Sequence, residues 1–330
     1  MSKRHPIAEF DLINDYFADM TSQRGDVVLG VGDDAALLRV PQGMDLAVSV
    51  DTLVAGVHFF PDISPVNLGY KALAVNLSDL AAMGAEPAWA TLALTLPEVD
   101  DFWLREFCRG FAELAGQYEL QLVGGDTTSG PLSITVQVHG LLPMGKGLTR
   151  GGARVGDEIY VTGTLGDAAM ALDCKHAWAD RSDLLPLIAR LERPTPRVEA
   201  GLALRGLASS AIDISDGLLA DLGHILQSSG VGASLELDKI PLSSPIAANL
   251  QGGEEWGIII AGGDDYELCF TLPAEHRDQV AAISRRSGVN MTPIGIIEAQ
   301  RGLRCLQGDG SLWTTGRTGY EHFSSRGGET

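Results

Sequence analysis

Four times along this chain glycine and aspartate meet in a short run at the end of a strand-like segment: Gly30-Val31-Gly32-Asp33-Asp34, Gly124-Gly125-Asp126, Asp213-Ile214-Ser215-Asp216-Gly217 and Gly262-Gly263-Asp264-Asp265. Glycine and aspartate are common turn formers, so any one run is accounted for as an ordinary turn. All of them together, with Asp51 and Asp79 besides, are harder to explain that way. Carboxylates gathered at strand ends repel one another unless cations lie between them, and an all-oxygen donor set suits Mg2+ or Ca2+ rather than zinc. The ligand such ions most often bridge is a nucleotide polyphosphate. Glycines let backbone N–H groups approach phosphate oxygens, and Thr164-Leu165-Gly166-Asp167, at an expected helix start, offers a further anion-binding terminus.

The patterning around these runs predicts mixed α and β structure in both halves. Leu46, Val48 and Val50 alternate with Ser49 and Asp51, which places two oxygen-bearing side chains on one face of a strand. Ser64-Pro65 has the form of an N-cap and first-turn proline, opening a helix expected to run through Asp79 to a stop near Gly84. Asp79 falls on a stripe with Val75 and Met83, where an uncompensated carboxylate is costly. Further strands are expected at 89–96, 120–123 and 132–140, and the polar, glycine-rich stretch 148–157 suggests a crossing between domains, taken as 1–150 and 151–330. Beyond it come a strand at 158–162, a helical stretch from Asp167, a strand-turn-helix over 211–226, a strand pair over 258–272 and a loose tail at 326–330.

Several function classes are disfavoured. With 24 basic against 43 acidic residues the formal charge is -19, which repels nucleic acid and anionic membranes, so neither is an expected partner. Cys108, Cys174, Cys269 and Cys305 lack zinc or redox spacing and are expected to be buried free thiols in a reducing compartment. The opening Met1-Ser2-Lys3-Arg4-His5-Pro6 lacks the apolar core of a signal peptide, and no apolar run approaches the ~20 residues that span a bilayer, so a cytoplasmic location is expected. Gly145-Lys146-Gly147 does not complete a Walker A motif, and the protein-kinase motifs are missing. Gly30-Val31-Gly32-Asp33-Asp34-Ala35 matches the dinucleotide fingerprint, with Asp51 at the ribose-binding distance, which leaves a nicotinamide-dependent oxidoreductase open. A protein that stores or senses divalent cations is open as well.

Gly32-Asp33-Asp34-Ala35-Ala36, Ser49-Val50-Asp51-Thr52-Leu53-Val54, Asn76-Leu77-Ser78-Asp79-Leu80-Ala81-Ala82-Met83-Gly84, Gly124-Gly125-Asp126-Thr127-Thr128, Thr149-Arg150, Asp213-Ile214-Ser215-Asp216-Gly217-Leu218 and Gly263-Asp264-Asp265-Tyr266-Glu267-Leu268 resemble the thiamine-monophosphate kinase family over nearly the whole chain. The wider superfamily includes aminoimidazole ribonucleotide synthetase, selenophosphate synthetase and a hydrogenase-maturation protein. The first Cys-bearing branch is marked by an N-terminal Cys or selenocysteine and the second by a C-terminal Cys. This chain, ending Gly-Gly-Glu-Thr, has neither. The resemblance implies a cytoplasmic homodimer of two-domain aminoimidazole ribonucleotide synthetase-like fold, α/β then α+β, whose N-terminal sheet forms a barrel across the dimer. It implies transfer of the ATP γ-phosphate to thiamine monophosphate, giving thiamine diphosphate.

By the same resemblance, several Mg2+ ions fall to Asp34, Ser49, Val50, Asp51, Asp79, Asp126, Asp213 and Asp216; ATP to Gly125, Asp126, Arg150 and Ser215; and thiamine monophosphate to His58, Asp264 and Tyr320. Val50 stands where relatives often have Thr, which limits it to its backbone carbonyl, and Asp264 stands where they usually have Glu. Other roles stay open on sequence: His58 as a structural histidine, Tyr320 as a packing residue, Ser215 and Asp216 as helix caps, Arg150 as a solvated arginine. The acceptor phosphate is already largely ionised at neutral pH, having a second pKa of about 6, so direct in-line transfer is expected with no protein nucleophile or general base.

Overall fold

A computed structural model of the protein describes residue 13 and residues 15–249, 255–316 and 319–320; the opening residues 1–6 and the tail at 326–330 lie outside them. Contacts divide the chain into Met1–Gly147 and Leu148–Thr330.

The first unit begins with an antiparallel ribbon of β1 (Val27–Leu29) and β2 (Leu37–Leu38). Asp26 ties it down: its carboxylate accepts from Arg24 Nε and from Trp89 Nε1, each at 3.0 Å. Both donors hold the Asp26 carboxyl below its ordinary range, Arg24 more than Trp89. Val27 and Leu38 pack on the cluster of Ala88, Trp89, Val123 and Leu141.

The ribbon leads to β3 (Met44–Val54), α1 (Pro65–Ala82), β4 (Glu86–Leu96), α2 (Asp101–Gln117), β5 (Gln121–Ser129) and β6 (Ser133–Pro143). Sheet order is β3-β6-β4-β5, antiparallel except for the parallel β4–β5 pair. Ser64 Oγ caps α1 by accepting the Asn67 N–H, Pro65 occupies its first turn, and Gly84 follows its end with φ 64°. One sheet face is covered: α1 packs on β3, β4 and β6 with α2 behind it, burying Leu92, Leu94, Ile134, Val136 and Val138. The opposite face is open, and there Leu46, Val48 and Val50 of β3 are 43%, 53% and 55% exposed. The alternation in β3 is therefore the expected one, but its apolar side is the uncovered side. Ser49 and Asp51 are the pair turned toward α1. A period of two says which residues share a face, not which face another element will cover.

Among the described residues the second unit has one sheet, of order β13-β12-β9-β11-β7-β10-β8. Its strands are β7 (Glu158–Thr162), β8 (Ser210–Asp213), β9 (Gly232–Glu236), β10 (Leu268–Leu272), β11 (Met291–Glu298), β12 (Gly302–Leu306) and β13 (Leu312–Trp313), and β9–β12 is its parallel pair. The α-helices are α3 (Asp167–Asp173), α4 (Leu185–Glu192), α5 (Val198–Leu204), α6 (Leu218–Ser229), α7 (Ser244–Asn249), α8 (Glu255–Ala261) and α9 (Arg277–Ser287). The core runs along β10, buried at every position, where Phe270 stacks on Tyr160 with ring centroids 5.3 Å apart.

One element differs in kind from expectation. Of the strand pair expected over 258–272, only β10 is a strand, because Ile258-Ile259-Ile260 lies within α8. A short apolar run has no period of its own, and packing against α3 and α6 decides it as helix. The cysteines differ in one case: Cys108, Cys269 and Cys305 are buried, whereas Cys174 is partly exposed.

Candidate functional site

In the first unit the structure joins Ser49 to Asp79: Ser49 Oγ donates to Asp79 Oδ2 at 2.5 Å, linking β3 to the last turns of α1. One pleat along, the Asp51 backbone N–H donates to Asn76 Oδ1 at 3.0 Å, and Asn76 Nδ2 donates to the Ala72 carbonyl at 3.0 Å. Asn76 was not singled out from sequence, although its spacing of three from Asp79 puts both on one helical face. Val50 points to the opposite side of the strand, so any contact it made here would come only from its backbone carbonyl. His58 closes a tight turn after β3, its Nδ1 accepting the Val54 N–H at 3.0 Å, which requires the neutral ring to carry its proton on Nε2.

The Gly30–Asp34 run is a turn, as expected, with Asp34 exposed and its N–H donating to Asp33 Oδ1 at 2.9 Å. It joins two antiparallel strands and no helix follows. The dinucleotide fingerprint needs a strand, turn and helix in succession, so the nicotinamide reading fails here. Gly124-Gly125-Asp126, by contrast, is not a turn. It lies within β5, where Gly125 pairs with Leu92 and Asp126 with Ala93. A Cβ on Gly125 would sit 1.9 Å from the Leu92 carbonyl oxygen, so this glycine is required by the close approach of two strands.

In the second unit, backbone hydrogen bonds gather most of the named residues around the turn that follows β8. The Asp264 N–H donates to the Ser215 carbonyl at 2.9 Å, the Tyr266 N–H to the Ile214 carbonyl at 2.8 Å, and the Tyr320 N–H to the Asp216 carbonyl at 3.1 Å. Gly263 permits this contact, since a Cβ there would lie 2.1 Å from the Ser215 oxygen. The turn itself is organised by Asp221, whose Oδ2 accepts the N–H groups of Ser215, Asp216 and Gly217, each at 3.1 Å. Burial and the adjacent Asp216 push the Asp221 carboxyl up to about 7 despite these three bonds. Ser215 and Asp216 are therefore not the caps of α6. A first-turn aspartate reaches back to cap them, and its position four residues after Gly217 was the overlooked signal. Arg150 is exposed and follows Thr149, whose carbonyl accepts the Ala211 N–H near the start of β8.

The Gly262–Asp265 run splits in two. Asp264 is partly exposed, but Asp265 is buried and both its carboxylate oxygens accept the Gly166 N–H, at 3.0 and 3.1 Å. Burial holds the Asp265 carboxyl well above the usual carboxylate range. The helix start proposed as an anion site is thus taken by the protein's own Asp265, and Thr164 Oγ1 donates to Asp167 Oδ2 at 2.8 Å. Among the described residues no three His, Cys, Asp or Glu side chains are close enough together to hold a metal ion by themselves. The donors are hydroxyl and carboxylate oxygens, spread over strand ends and turns. That suits Mg2+, which keeps several waters and is bound through one or two carboxylates plus substrate phosphates rather than by an all-protein cage.

Residues 32–142 match the family described as AIR synthase related protein, N-terminal domain, and residues 154–306 match AIR synthase related protein, C-terminal domain. The chain is 51% identical over 320 residues to the thiamine-monophosphate kinase of Escherichia coli (strain K12), covering 96% of this chain and 98% of that protein. Among solved structures it resembles thiamine-monophosphate kinase from Stenotrophomonas maltophilia K279a, with TM-score 0.82 and 46% identity over 88% of this chain and 93% of that one. It also resembles AaThiL complexed with AMPPCP and TMP, with TM-score 0.74 and 32% identity over 89% and 92% of the two chains.

Proposed function

This chain belongs to the thiamine-monophosphate kinase family, and on that premise we propose how its residues carry the reaction. The protein phosphorylates thiamine monophosphate to thiamine diphosphate with ATP as donor. The observation that carries our assignment is the knot of backbone hydrogen bonds that sets Asp264 and Tyr320 against the Asp213–Asp216 turn. On the first unit Asp34, Ser49, the Val50 carbonyl, Asp51, Asp79 and Asp126 would hold Mg2+, as would Asp213 and Asp216 on the second. Mg2+ bound there would supply the positive charge that offsets the negative charge of the phosphates.

The other assignments follow from what each group can do. The Gly125 backbone, Asp126, Arg150 and Ser215 bind and orient ATP. Arg150, exposed at the start of the second unit, supplies a planar cation suited to a phosphate. His58, Asp264 and Tyr320 bind the acceptor: Asp264 as counter-ion and hydrogen-bond acceptor, Tyr320 as an aromatic surface beside the turn. No side chain is needed to activate the acceptor, whose phosphate is already ionised, so transfer is direct and in line. Incubation with ATP, thiamine monophosphate and Mg2+ should yield ADP and thiamine diphosphate, and γ-labelled ATP alone should leave no label on the protein. A phosphoenzyme competent to pass its label to thiamine monophosphate would overturn direct transfer.

A cytoplasmic homodimer is part of the same proposal. The open face of the first unit's sheet, with Leu46, Val48 and Val50 about half exposed on its edge strand, suits a second copy that would close the two sheets into a barrel. No helix among the described residues is long and apolar enough to cross a membrane. Sedimentation should give a dimer for the wild type and a monomer for the Val48→Glu/Val50→Glu double variant. A wild type that sediments as a monomer at assay concentrations would overturn the barrel.

A further inference from the structure

Two residues of the Gly262–Glu267 run occupy a conformation that side chains other than glycine rarely adopt: Asp264 has φ 68° and Tyr266 φ 51°. Such geometry persists only where the surroundings over-determine it, and it concentrates at ligand-binding positions. Here the determinants are identifiable. Between and after the two strained residues stand two inward anchors, Asp265 on the Gly166 N–H and Glu267 among cations. The Glu267 carboxylate, 0% exposed, accepts from Thr162 Oγ1 at 2.6 Å, from Arg190 at 2.5 Å and from Arg197 at 2.6 and 2.5 Å. On the other side the Asp264 and Tyr266 amides are fastened to Ser215 and Ile214, and the Ile214 N–H returns a bond to the Glu267 carbonyl at 2.8 Å.

Pinned in this way, the two strained residues meet each other: Tyr266 Oη donates to Asp264 Oδ1 at 2.9 Å. We infer that Tyr266 is a positioning residue for the acceptor substrate, its hydroxyl holding the Asp264 carboxylate in the orientation that receives the donor and cationic groups of thiamine monophosphate. A bond to a carboxylate is strong and directional enough to select one rotamer of a two-torsion side chain. Tyr266 is itself buried, so its ring cannot swing away when the ligand arrives. This inference rests on the assignment of Asp264 to the acceptor.

Steady-state kinetics on a double-mutant cycle test it. Tyr266→Phe removes one oxygen from a packed ring and should raise KM for thiamine monophosphate roughly 3- to 10-fold, with KM for ATP unchanged within about twofold. Asp264→Ala should raise the same KM by roughly 10- to 150-fold, the loss expected for a hydrogen bond to a charged group. In the Asp264→Ala background Tyr266→Phe should add nothing, because the group it orients is gone. If Asp264→Ala leaves KM for thiamine monophosphate unchanged, the acceptor assignment itself fails. If Asp264→Ala raises it but Tyr266→Phe does not, or if the two effects multiply independently, the positioning role is overturned while the acceptor assignment stands. A Tyr266→Phe effect that appears equally in KM for ATP would mark a general loosening of the turn and also overturn it.

Discussion

Asp51→Asn is expected to lower kcat/KM by on the order of 10²- to 10³-fold, while the melting temperature moves by no more than about 2 °C. The substitution keeps the size and shape of the side chain and removes only its charge. The bond from the Asp51 backbone N–H to Asn76 and the strand ladder to β6 are main-chain interactions, so both survive the substitution. On the proposed metal assignment the reaction does need the charge, because ATP brings several negative charges to a protein whose own formal charge is -19, and the oxygens of Asp51 and its neighbours would meet that charge only through cations. Asp126→Asn, on the exposed end of β5, is expected to behave alike. Kinetics at saturating Mg2+ with parallel thermal melts separate activity from stability. An Asp51→Asn enzyme of wild-type kcat/KM, or full activity in excess chelator, would sink the metal assignment.

Glu267→Ala should produce the converse, a loss of about 3 to 5 kcal/mol of stability in the second unit. The carboxylate is fully buried and satisfies Thr162, Arg190 and Arg197 at once, so its removal takes a shared anion from both guanidinium groups rather than deleting one contact. The Arg190 and Arg197 side chains retain 21% and 16% exposure, enough for partial rescue by water, which favours the lower end of that range. At about 2 to 4 °C per kcal/mol the shift corresponds to roughly 6 to 20 °C in melting temperature. Calorimetry is the right measurement, because two units need not unfold as one transition and the prediction concerns only the second. A loss below about 2 °C would show that the cluster contributes little.

The candidate site was partly legible before the fold was known. Asp79 stood out because a carboxylate on an apolar helical stripe needs a partner, and the structure supplies one in Ser49. The glycine-aspartate runs pointed to oxygen donors and phosphate, but sequence treated every aspartate in a run alike. Asp264 and Asp265 are neighbours with opposite fates, one partly exposed beside Ser215 and the other buried on Gly166. Asp221 and Tyr266 went unnoticed because each acts on residues reached through a turn or a strained backbone, and no periodic pattern marks such a partner.

Local order was therefore readable from sequence wherever one element carries its own signal. The β3 alternation, the Ser64-Pro65 helix start and the inventory of oxygen donors depend on a few adjacent residues and their period. Tertiary structure alone decided which face of β3 is covered, that Ile258-Ile259-Ile260 is helical, that Gly124-Gly125-Asp126 runs on as strand, and which aspartates turn inward. The physical reason is common to all of them. Periodicity sets how residues of one element face relative to each other, whereas burial and pairing are set by whatever distant segment packs against them, and a buried carboxylate such as Asp265 or Glu267 is tolerable only once that segment has brought its N–H or guanidinium partner into place.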